Sequence, residues 1–165
     1  MTPPGIEHLQ AKQYSWSGIA DQAATWKANG QRIVFTNGCF DLLHKGHIHY
    51  LSQAADYGER LIIGVNSDAS VSRLKGDQRP IQEASSRTLI LAALAMTDAV
   101  VVFEEDNPAR LIEALTPDIL VKGGDYTPEQ VVGADQVRSA GGAVYCIPFL
   151  AGYSTSNLAR SLGHG

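Results

Sequence analysis

The feature that most constrains the fold of this chain is the repeated alternation of short apolar runs with helical segments. Five runs rich in Val, Ile and Leu predict strands at residues 33–36, 60–66, 99–103, 119–121 and 143–147. Between them, apolar residues recur at helical spacing, which predicts helices. This alternation predicts an α/β protein with a parallel five-stranded sheet that is covered by helices on both faces.

The bulk properties describe one ordinary globular domain. We expect a loose lead-in over residues 1–14 and a single domain over residues 15–165, since no repeat or low-complexity tract interrupts the pattern. A net charge of −4 gives no reason to expect binding to nucleic acid or to an anionic membrane. The chain start, MTPPGIEHLQ, lacks the features of a secretion signal. We therefore expect a cytoplasmic protein with two unbridged cysteines.

The segment of residues 32–51 predicts a ligand site. A buried strand ends at Asn37 and Gly38, and a helix begins near Gly46, between His44 and His47. Ligands of open α/β sheets lie at the carboxyl ends of the strands, and free N–H groups at a helix start suit phosphate. Gly38 and Gly46 would let a phosphate approach the backbone closely. The pattern favours a phosphate-handling active site.

Besides phosphate contact, the histidine pair has two alternative interpretations, as ordinary surface residues or as metal ligands. Residues three apart at a helix start face the same way, so both rings could reach one ligand. They could instead be ordinary surface residues. They could also join Cys39, Asp41 and His49 in binding a metal ion, although this spacing fits no standard structural zinc site.

Three further segments carry candidate groups. Residues 67–83 form a long polar segment. The basic residues in and just after it, Arg73, Lys75, Arg79 and Arg87, suit a small anion or only a solvated loop. Residues 154–156 could bind an anion at a helix start or simply cap that helix. Residues 122–125 could approach a base or ribose, or make only a tight turn. Asp41 could bind a sugar hydroxyl, help to hold a metal ion or cap a turn.

No side chain in the sequence has the pattern of an activated nucleophile, and the common phosphate-binding loop is absent. Neither a G-x-S-x-G elbow nor a G-x-x-x-x-G-K-[ST] phosphate loop is present. This favours a direct transfer in which the second substrate brings its own anionic nucleophile.

The segment around the histidines resembles the HxGH signature of the nucleotidyltransferase superfamily, whose members are cytidylyltransferase-like. Three more segments, in the same order, resemble one branch, the bacterial D-glycero-β-D-manno-heptose 1-phosphate adenylyltransferases. The resemblance runs from about residue 31 to residue 160. The segments that carry it are TNGCFDLLHKGH, GVNSD with LKG and RP, VKGGDY, and STSN.

The resemblance implies a Rossmann-like, doubly wound fold and the transfer of AMP from ATP to a heptose 1-phosphate. The products would be ADP-heptose and pyrophosphate, for the lipopolysaccharide core. It implies Mg²⁺ held mainly by the phosphates, with no side-chain ligand. Many relatives are fused to a sugar kinase, so we expect a separate kinase to supply the substrate here. A homo-oligomer, a dimer or higher, is also expected.

The resemblance and the residues together give a set of candidate site residues. The predicted catalytic residues are His44, His47 and Lys75. The predicted nucleotide-binding residues are Asn37, Gly38, Cys39, Phe40, Gly46, Lys122, Gly124, Asp125, Ser154, Thr155 and Ser156. The predicted sugar-phosphate-binding residues are Asp41, Asn66, Asp68 and Arg79.

One departure concerns base choice. Cytidylyltransferases of the superfamily carry an Arg shortly before the final Ser/Thr cluster, and residues 149–153 here contain none. Two rival functions remain at this point. One is a cytidylyltransferase for glycerol 3-phosphate or a similar small phosphate, and the other is a non-catalytic nucleotide-binding domain.

Overall fold

The structure, a computed structural model, describes residues 5–163. A six-stranded parallel sheet runs through these residues in the order β1-β4-β3-β2-β5-β6. The strands are β1 (Gln13–Tyr14), β2 (Ile33–Gly38), β3 (Arg60–Asn66), β4 (Ala99–Phe103), β5 (Ile119–Gly123) and β6 (Ala143–Ile147). The helices are α1 (Ile6–Gln10), α2 (Trp16–Ala28), α3 (Lys45–Ala55), α4 (Asp68–Lys75), α5 (Ala84–Ala92), α6 (Ala109–Leu115), α7 (Ala134–Ser139) and α8 (Thr155–Ser161), with a 3₁₀ helix at Pro128–Gln130.

The sheet is buried on both faces because successive side chains of a strand point to opposite sides. In β2, Phe35 packs with Trp26 of α2 in one apolar core, whereas Val34 packs with Leu51 of α3 in the other. Burying a side chain of this size stabilises the fold by about 1.5–3 kcal/mol. The parallel α/β sheet with helices on both faces is therefore confirmed.

The sheet has six strands and not the five expected from the sequence. The additional strand is β1, in which Gln13 and Tyr14 pair with Val100 and Val101 of β4. Two residues are too few to produce a recognisable apolar pattern. Residues 6–14 of the expected loose lead-in thus contain α1 and β1, while residues 1–4 lie outside the described part of the chain. The domain boundary at residue 14 stays a prediction.

The polar segment after β3 is partly helical. The Oγ of Ser67 accepts a hydrogen bond from the N–H of Ser70 at 3.1 Å, which caps the start of α4. The helix ends at Gly76, whose φ of 101° suits a residue without a Cβ. This helix brings Leu74 and Lys75 to the carboxyl edge of the sheet.

The strand order creates a switch point at the centre of the sheet. From β2 the chain adds β3 and β4 on one side, and it then crosses to place β5 and β6 on the other side. Open α/β sheets bind ligands in the crevice at such a point, outside the carboxyl ends of the strands. Here the crevice lies beyond the ends of β2 and β5.

Candidate active site

A cleft of about 620 Å³ opens beyond the carboxyl ends of the central strands. Many of the predicted site residues line it, namely Asn37, Gly38, Cys39, Phe40, Asp41, His44, His47, Asn66, Lys75, Lys122, Ser154, Thr155 and Ser156. Five predicted residues lie outside its lining: Gly46, Asp68, Arg79, Gly124 and Asp125. The structure thus gathers in one place residues that are up to 119 positions apart in the chain, as from Asn37 to Ser156.

The two histidines form the start of α3. His44 is the N-cap, and its Nδ1 accepts a hydrogen bond from the N–H of Gly46 at 3.1 Å. The Nδ1 of His47 accepts from the N–H of His44 at 3.3 Å, and the two ring centroids lie 3.9 Å apart. Because each Nδ1 is an acceptor, this hydrogen-bonding pattern assigns the proton of each neutral ring to Nε2. The helix start therefore presents two adjacent Nε2–H donors.

Both rings are neutral at pH 7. Burial, with smaller contributions from the neighbouring His44 and Lys75, lowers the pKa of His47 to about 4. Burial also lowers the pKa of His44. Neutral imidazoles keep their Nε2–H groups as hydrogen-bond donors across the physiological range.

Gly46 makes room for the ring of His44. A Cβ at position 46 would lie 2.9 Å from the Cε1 and Nδ1 atoms of His44 and 3.2 Å from the Cβ of Tyr153. The N–H of Gly46 is already donated to His44. In this structure, Gly46 therefore serves the position of His44, and a contact between Gly46 and phosphate stays a prediction.

Phe40 packs against the ring of His47. It adopts a left-handed φ of 49°, is 5% exposed, and its ring centroid lies 5.5 Å from that of His47. Gly38 accommodates this arrangement, since a Cβ there would lie 3.1 Å from the Phe40 ring. Next to it, burial raises the pKa of the Cys39 thiol, so this thiol is protonated at pH 7.

Asp41 anchors a loop. Its buried carboxylate accepts from the Nε of Arg79 at 2.7 Å and from the N–H groups of Ile81 and Gln82 at 2.9 Å. Burial alone would raise the pKa of Asp41, but the hydrogen bonds from Gln82, Ile81 and Arg79 outweigh it, and the net pKa is lowered. Both Asp41 and Arg79, which were predicted to bind the sugar phosphate, are thus engaged with each other.

Arg87 joins the two central strand ends and is completely buried. Its Nη1 donates to the carbonyl oxygens of Cys39 and Asn66 at 2.7 and 2.8 Å. Its Nε donates to the carbonyl oxygen of Gln82 at 2.9 Å, and its Nη2 pairs with Asp68 at 2.6 Å. The sequence showed only a cation in a basic stretch, because a buried arginine carries no distinguishing pattern of its own. Asp68 is therefore a partner of Arg87 outside the cleft lining.

Two lysines supply positive charge to the cleft lining. Lys75 is exposed at the end of α4, and within residues 5–163 no ion pair engages it. Lys122 lies at the end of β5 with its Nζ 5.3 Å from the ring centroid of Tyr126. Burial lowers the pKa of Lys122, although the nearby thiols of Cys39 and Cys146 act in the opposite direction.

Aromatic side chains that sequence analysis missed line the cleft near β5. Tyr126 and Phe149 both line it and are 47% and 51% exposed. They pack around Gly124, where a Cβ would lie 3.0 Å from Phe149 and 3.1 Å from Tyr126. The N–H of Gly124 donates to the carbonyl oxygen of Ile147 at 2.8 Å, so its direct role is to shape the turn. Asp125 is exposed outside the lining.

The hydroxyl cluster before α8 has capping contacts. The Oγ of Ser154 accepts from the N–H of Asn157 at 3.1 Å, and the Oγ1 of Thr155 donates to the carbonyl oxygen of Leu42 at 3.5 Å. Ser156 lies beside them in the cleft lining. Ser154 thus caps α8, as one of the two interpretations predicted. All three hydroxyl-bearing residues also line the cleft.

The loop after β4 adds polar groups that sequence analysis did not identify. Asp106 and Asn107 of this loop line the same cleft, as does Gln130 of the 3₁₀ helix after β5. No local motif marks them, and only the strand order brings them to the site. Within residues 5–163, no group of three or more His, Cys, Asp or Glu side chains is placed to hold a metal ion.

Comparison with known proteins identifies close relatives. The chain is 54% identical to the bifunctional protein HldE of Geobacter metallireducens over 156 residues, which is 93% of this chain and 32% of that protein. It is 60% identical to the bifunctional protein HldE of Halorhodospira halophila over 148 residues, 86% of this chain and 31% of that protein. The chain thus spans about a third of the length of these curated relatives.

Two solved structures share the fold. The lipopolysaccharide core biosynthesis protein from Thermoplasma volcanium has a TM-score of 0.59 and 28% identity, covering 73% of this chain and 98% of that chain. The pantoate-beta-alanine ligase from Francisella tularensis has a TM-score of 0.61 at 14% identity, covering 87% of this chain and 68% of that chain. The second similarity concerns the fold alone.

A Rossmann-like sheet with a histidine pair at its switch point, together with these similarities, defines the class of this protein as a nucleotidyltransferase. The chain belongs to the cytidylyltransferase-like family, which matches it over residues 35–145. None of the helices within residues 5–163 is long and apolar enough to cross a membrane.

Proposed function

We propose that this chain transfers AMP from ATP to D-glycero-β-D-manno-heptose 1-phosphate, giving ADP-heptose and pyrophosphate for lipopolysaccharide core synthesis. The TNGCFDLLHKGH and KGGDY segments support this proposal. So do the identity to bifunctional HldE proteins and the structural similarity to a lipopolysaccharide core biosynthesis protein. The observation that carries the chemistry is the pair of neutral imidazoles whose Nδ1 atoms accept from backbone N–H groups.

The reaction is an in-line displacement at the α-phosphorus of ATP. The sugar phosphate is already an anion at neutral pH, so its oxygen attacks without a general base. The Nε2–H groups of His44 and His47 donate to the α-phosphate oxygens as charge builds on them. Lys75 bridges the approaching phosphates, and Lys122 makes a secondary contact from the end of β5.

Specific donors must supply most of the rate enhancement. Enzymes typically remove about 8–23 kcal/mol from an activation barrier. The charge of a helix terminus contributes only ~0.3–1 kcal/mol. Positioned donors such as the two imidazoles, acting in a cleft that orients both substrates, are therefore the main source of catalysis.

The nucleotide binds between β2 and the segments after β5 and β6. Asn37, Gly38 and Cys39 border the phosphates at the end of β2, and Ser154–Ser156 present hydroxyls in the same cleft lining. Tyr126 and Phe149 offer exposed aromatic surface on which a base can stack. The same proposal includes direct contacts of the nucleotide with Phe40, Gly46, Gly124 and Asp125.

The predicted sugar-phosphate residues divide into two kinds. Asn66 lines the cleft at the end of β3 and is available for contact. Asp41, Asp68 and Arg79 act through their neighbours, since Asp41 pairs with Arg79 and Asp68 pairs with Arg87. These ion pairs hold the loop that borders the acceptor side of the cleft.

A divalent cation accompanies ATP in this type of reaction, and we propose Mg²⁺. The donor set fits a cation that is held mainly by phosphate oxygens: the carboxylate of Asp41 is occupied by Arg79 and two backbone N–H groups, so it is not free to bind metal. When bound, the cation would neutralise charge on the departing pyrophosphate.

The proposed substrates define the setting of the protein. A kinase activity can supply a sugar 1-phosphate, and both ATP and sugar phosphates are cytoplasmic metabolites. We therefore propose that the protein works in the cytoplasm downstream of a sugar kinase. We also propose that it assembles as a homo-oligomer, which light scattering of the purified protein would test.

Pyrophosphate release tests the proposal directly. The protein is incubated with Mg²⁺, either ATP or CTP, and heptose 1-phosphate or glycerol 3-phosphate. Release only with ATP and heptose 1-phosphate is the expected result. The name of the matched family favours cytidylyl transfer as the second candidate, and release with CTP and glycerol 3-phosphate would select it. Binding of ATP without release for any acceptor would indicate a non-catalytic domain.

A further inference from the structure

We infer that Asp106 and Asn107, in the loop between β4 and α6, recognise the hydroxyl groups of the acceptor and determine which sugar 1-phosphate is used. Both residues line the cleft that contains the histidine pair. This inference rests on the proposed function, because it assigns the selection of the sugar within that same site.

The acceptor side of the cleft needs such groups. Of the carboxylates expected there, Asp41 is occupied by Arg79 and by backbone N–H groups, and Asp68 pairs with Arg87 outside the cleft lining. Asp106 therefore provides a carboxylate that both lines the cleft and lies in its solvent-accessible part.

The loop is fixed before any ligand arrives. The Nε of Arg73 contacts the Oδ1 of Asp106 at 2.7 Å, and its Nη2 contacts the carbonyl oxygen of Glu104 at 2.5 Å. The Oγ of Ser70 donates to the carbonyl oxygen of Glu105 at 2.9 Å. Three contacts from α4 thus orient the loop, and groups held in this way can discriminate between similar ligands.

The two side chains offer the complementary groups that a hydroxyl needs. The Oδ1 of Asn107 accepts from the N–H of Ala109 at 3.0 Å, which directs its amide group and leaves two N–H donors for a ligand. The Oδ1 of Asp106 is paired with Arg73, which leaves Oδ2 as an acceptor. A sugar hydroxyl can donate to Asp106 and accept from Asn107.

Position and charge place the sugar, and not the phosphates, at this loop. Strand β4 lies two strands from β2, roughly 10 Å away at ordinary strand spacing, and β2 is the strand that leads into the histidine pair. Lys75 lines the cleft and suits the phosphate of the acceptor. The acidic run Glu104–Asp106 is only partly balanced by Arg73 and Arg110, which pair with Asp106 and Glu105. The remaining negative charge disfavours phosphates, so the neutral hydroxyl end of the substrate is the part that faces it.

Isosteric variants test the inference. Asp106→Asn can keep its contact with Arg73 and loses one acceptor, and Asn107→Asp can keep its contact with Ala109 and loses its donors. Each variant is expected to raise the KM for heptose 1-phosphate roughly tenfold, the scale of one hydrogen bond to a charged or buried partner. The KM for ATP is expected to stay unchanged. Glu105→Gln is the matched control, since Glu105 belongs to the same loop but does not line the cleft.

Two measurements separate this inference from the proposed function. Pyrophosphate release by the unmodified protein tests the function alone. Calorimetric binding of heptose 1-phosphate tests the subsite without any turnover, and a weaker affinity in both variants supports the inference. An unchanged KM and Kd for the sugar phosphate in both variants would overturn it. An equal rise in the KM for ATP, or an equal effect of Glu105→Gln, would overturn it as well.

Discussion

Replacement of His47 by Ala is expected to lower kcat by roughly 10²–10³, the effect of losing one transition-state donor. Such a donor is worth about 2.7–4 kcal/mol, and each 1.36 kcal/mol corresponds to a tenfold change in rate. The loss should not be larger, because His44 lies 3.9 Å away, ring centroid to ring centroid, and retains its own Nε2–H. Single-turnover pyrophosphate release with saturating ATP and heptose 1-phosphate measures the effect.

Two further substitutions separate the donor from the helix cap. The Nδ1 of His47 accepts from the backbone of His44, so His47→Ala removes a structural contact as well as the Nε2–H donor. His47→Asn can replace the Nδ1 acceptor only and should be as slow as His47→Ala. His47→Gln can place a donor near the Nε2 position and should recover part of the rate.

The control for these variants is His49→Ala. His49 lies on the same helix but is exposed and does not line the cleft, so kcat should stay unchanged. Normal turnover in both His47→Ala and His47→Asn would refute the assignment of His47 as a transition-state donor. Equal recovery in His47→Asn and His47→Gln would show that the contact with His44 is what matters.

Three other outcomes follow from the same geometry. Because the pKa of His47 is lowered from 6.5 to about 4, the unfolded state binds more protons than the folded state between these pH values. The free energy of unfolding should therefore fall as the pH drops from 6.5 to 4, and His47 should not change it above pH 6.5. Urea titrations at several pH values can check this. Arg87→Lys should lower the free energy of unfolding by about 3 kcal/mol or more, because one ammonium group cannot donate to all four partners of the guanidinium. A denaturation midpoint equal to that of the unmodified protein would contradict this. Gly46→Ala should reduce kcat while the circular dichroism spectrum is retained, because its Cβ would displace the ring of His44, and full activity would rule out that displacement.

The sequence predicted the parts of the fold that depend on regular apolar patterns. The runs in β2 to β6 alternate with helical segments, and this was sufficient for the parallel sheet. It could not reveal β1, because Gln13 and Tyr14 acquire strand geometry only by pairing with β4. Helix α4 was hidden for a related reason: its polar composition indicates a loop, and the cap at Ser67 acts only in the folded chain.

The candidate site was predictable where neighbouring residues act together. His44 and His47 are three positions apart, so their shared position could be read from helical spacing. Long-range partners were not predictable in this way. Nothing local marks that Asp41 pairs with Arg79, or that Arg87 links two strand ends. Groups such as Asp106 enter the cleft only because the strand order brings them there.

The hydrogen bonds at the start of α3 tie activity to local order. His44 and His47 hold their orientation through the same backbone contacts that begin the helix. Helix ends open at a lower free energy than the interior of a domain. When this single turn frays, the donor pair is lost although the sheet is intact. If the two imidazoles act as proposed, activity is expected to be lost at a lower temperature than that at which the core melts.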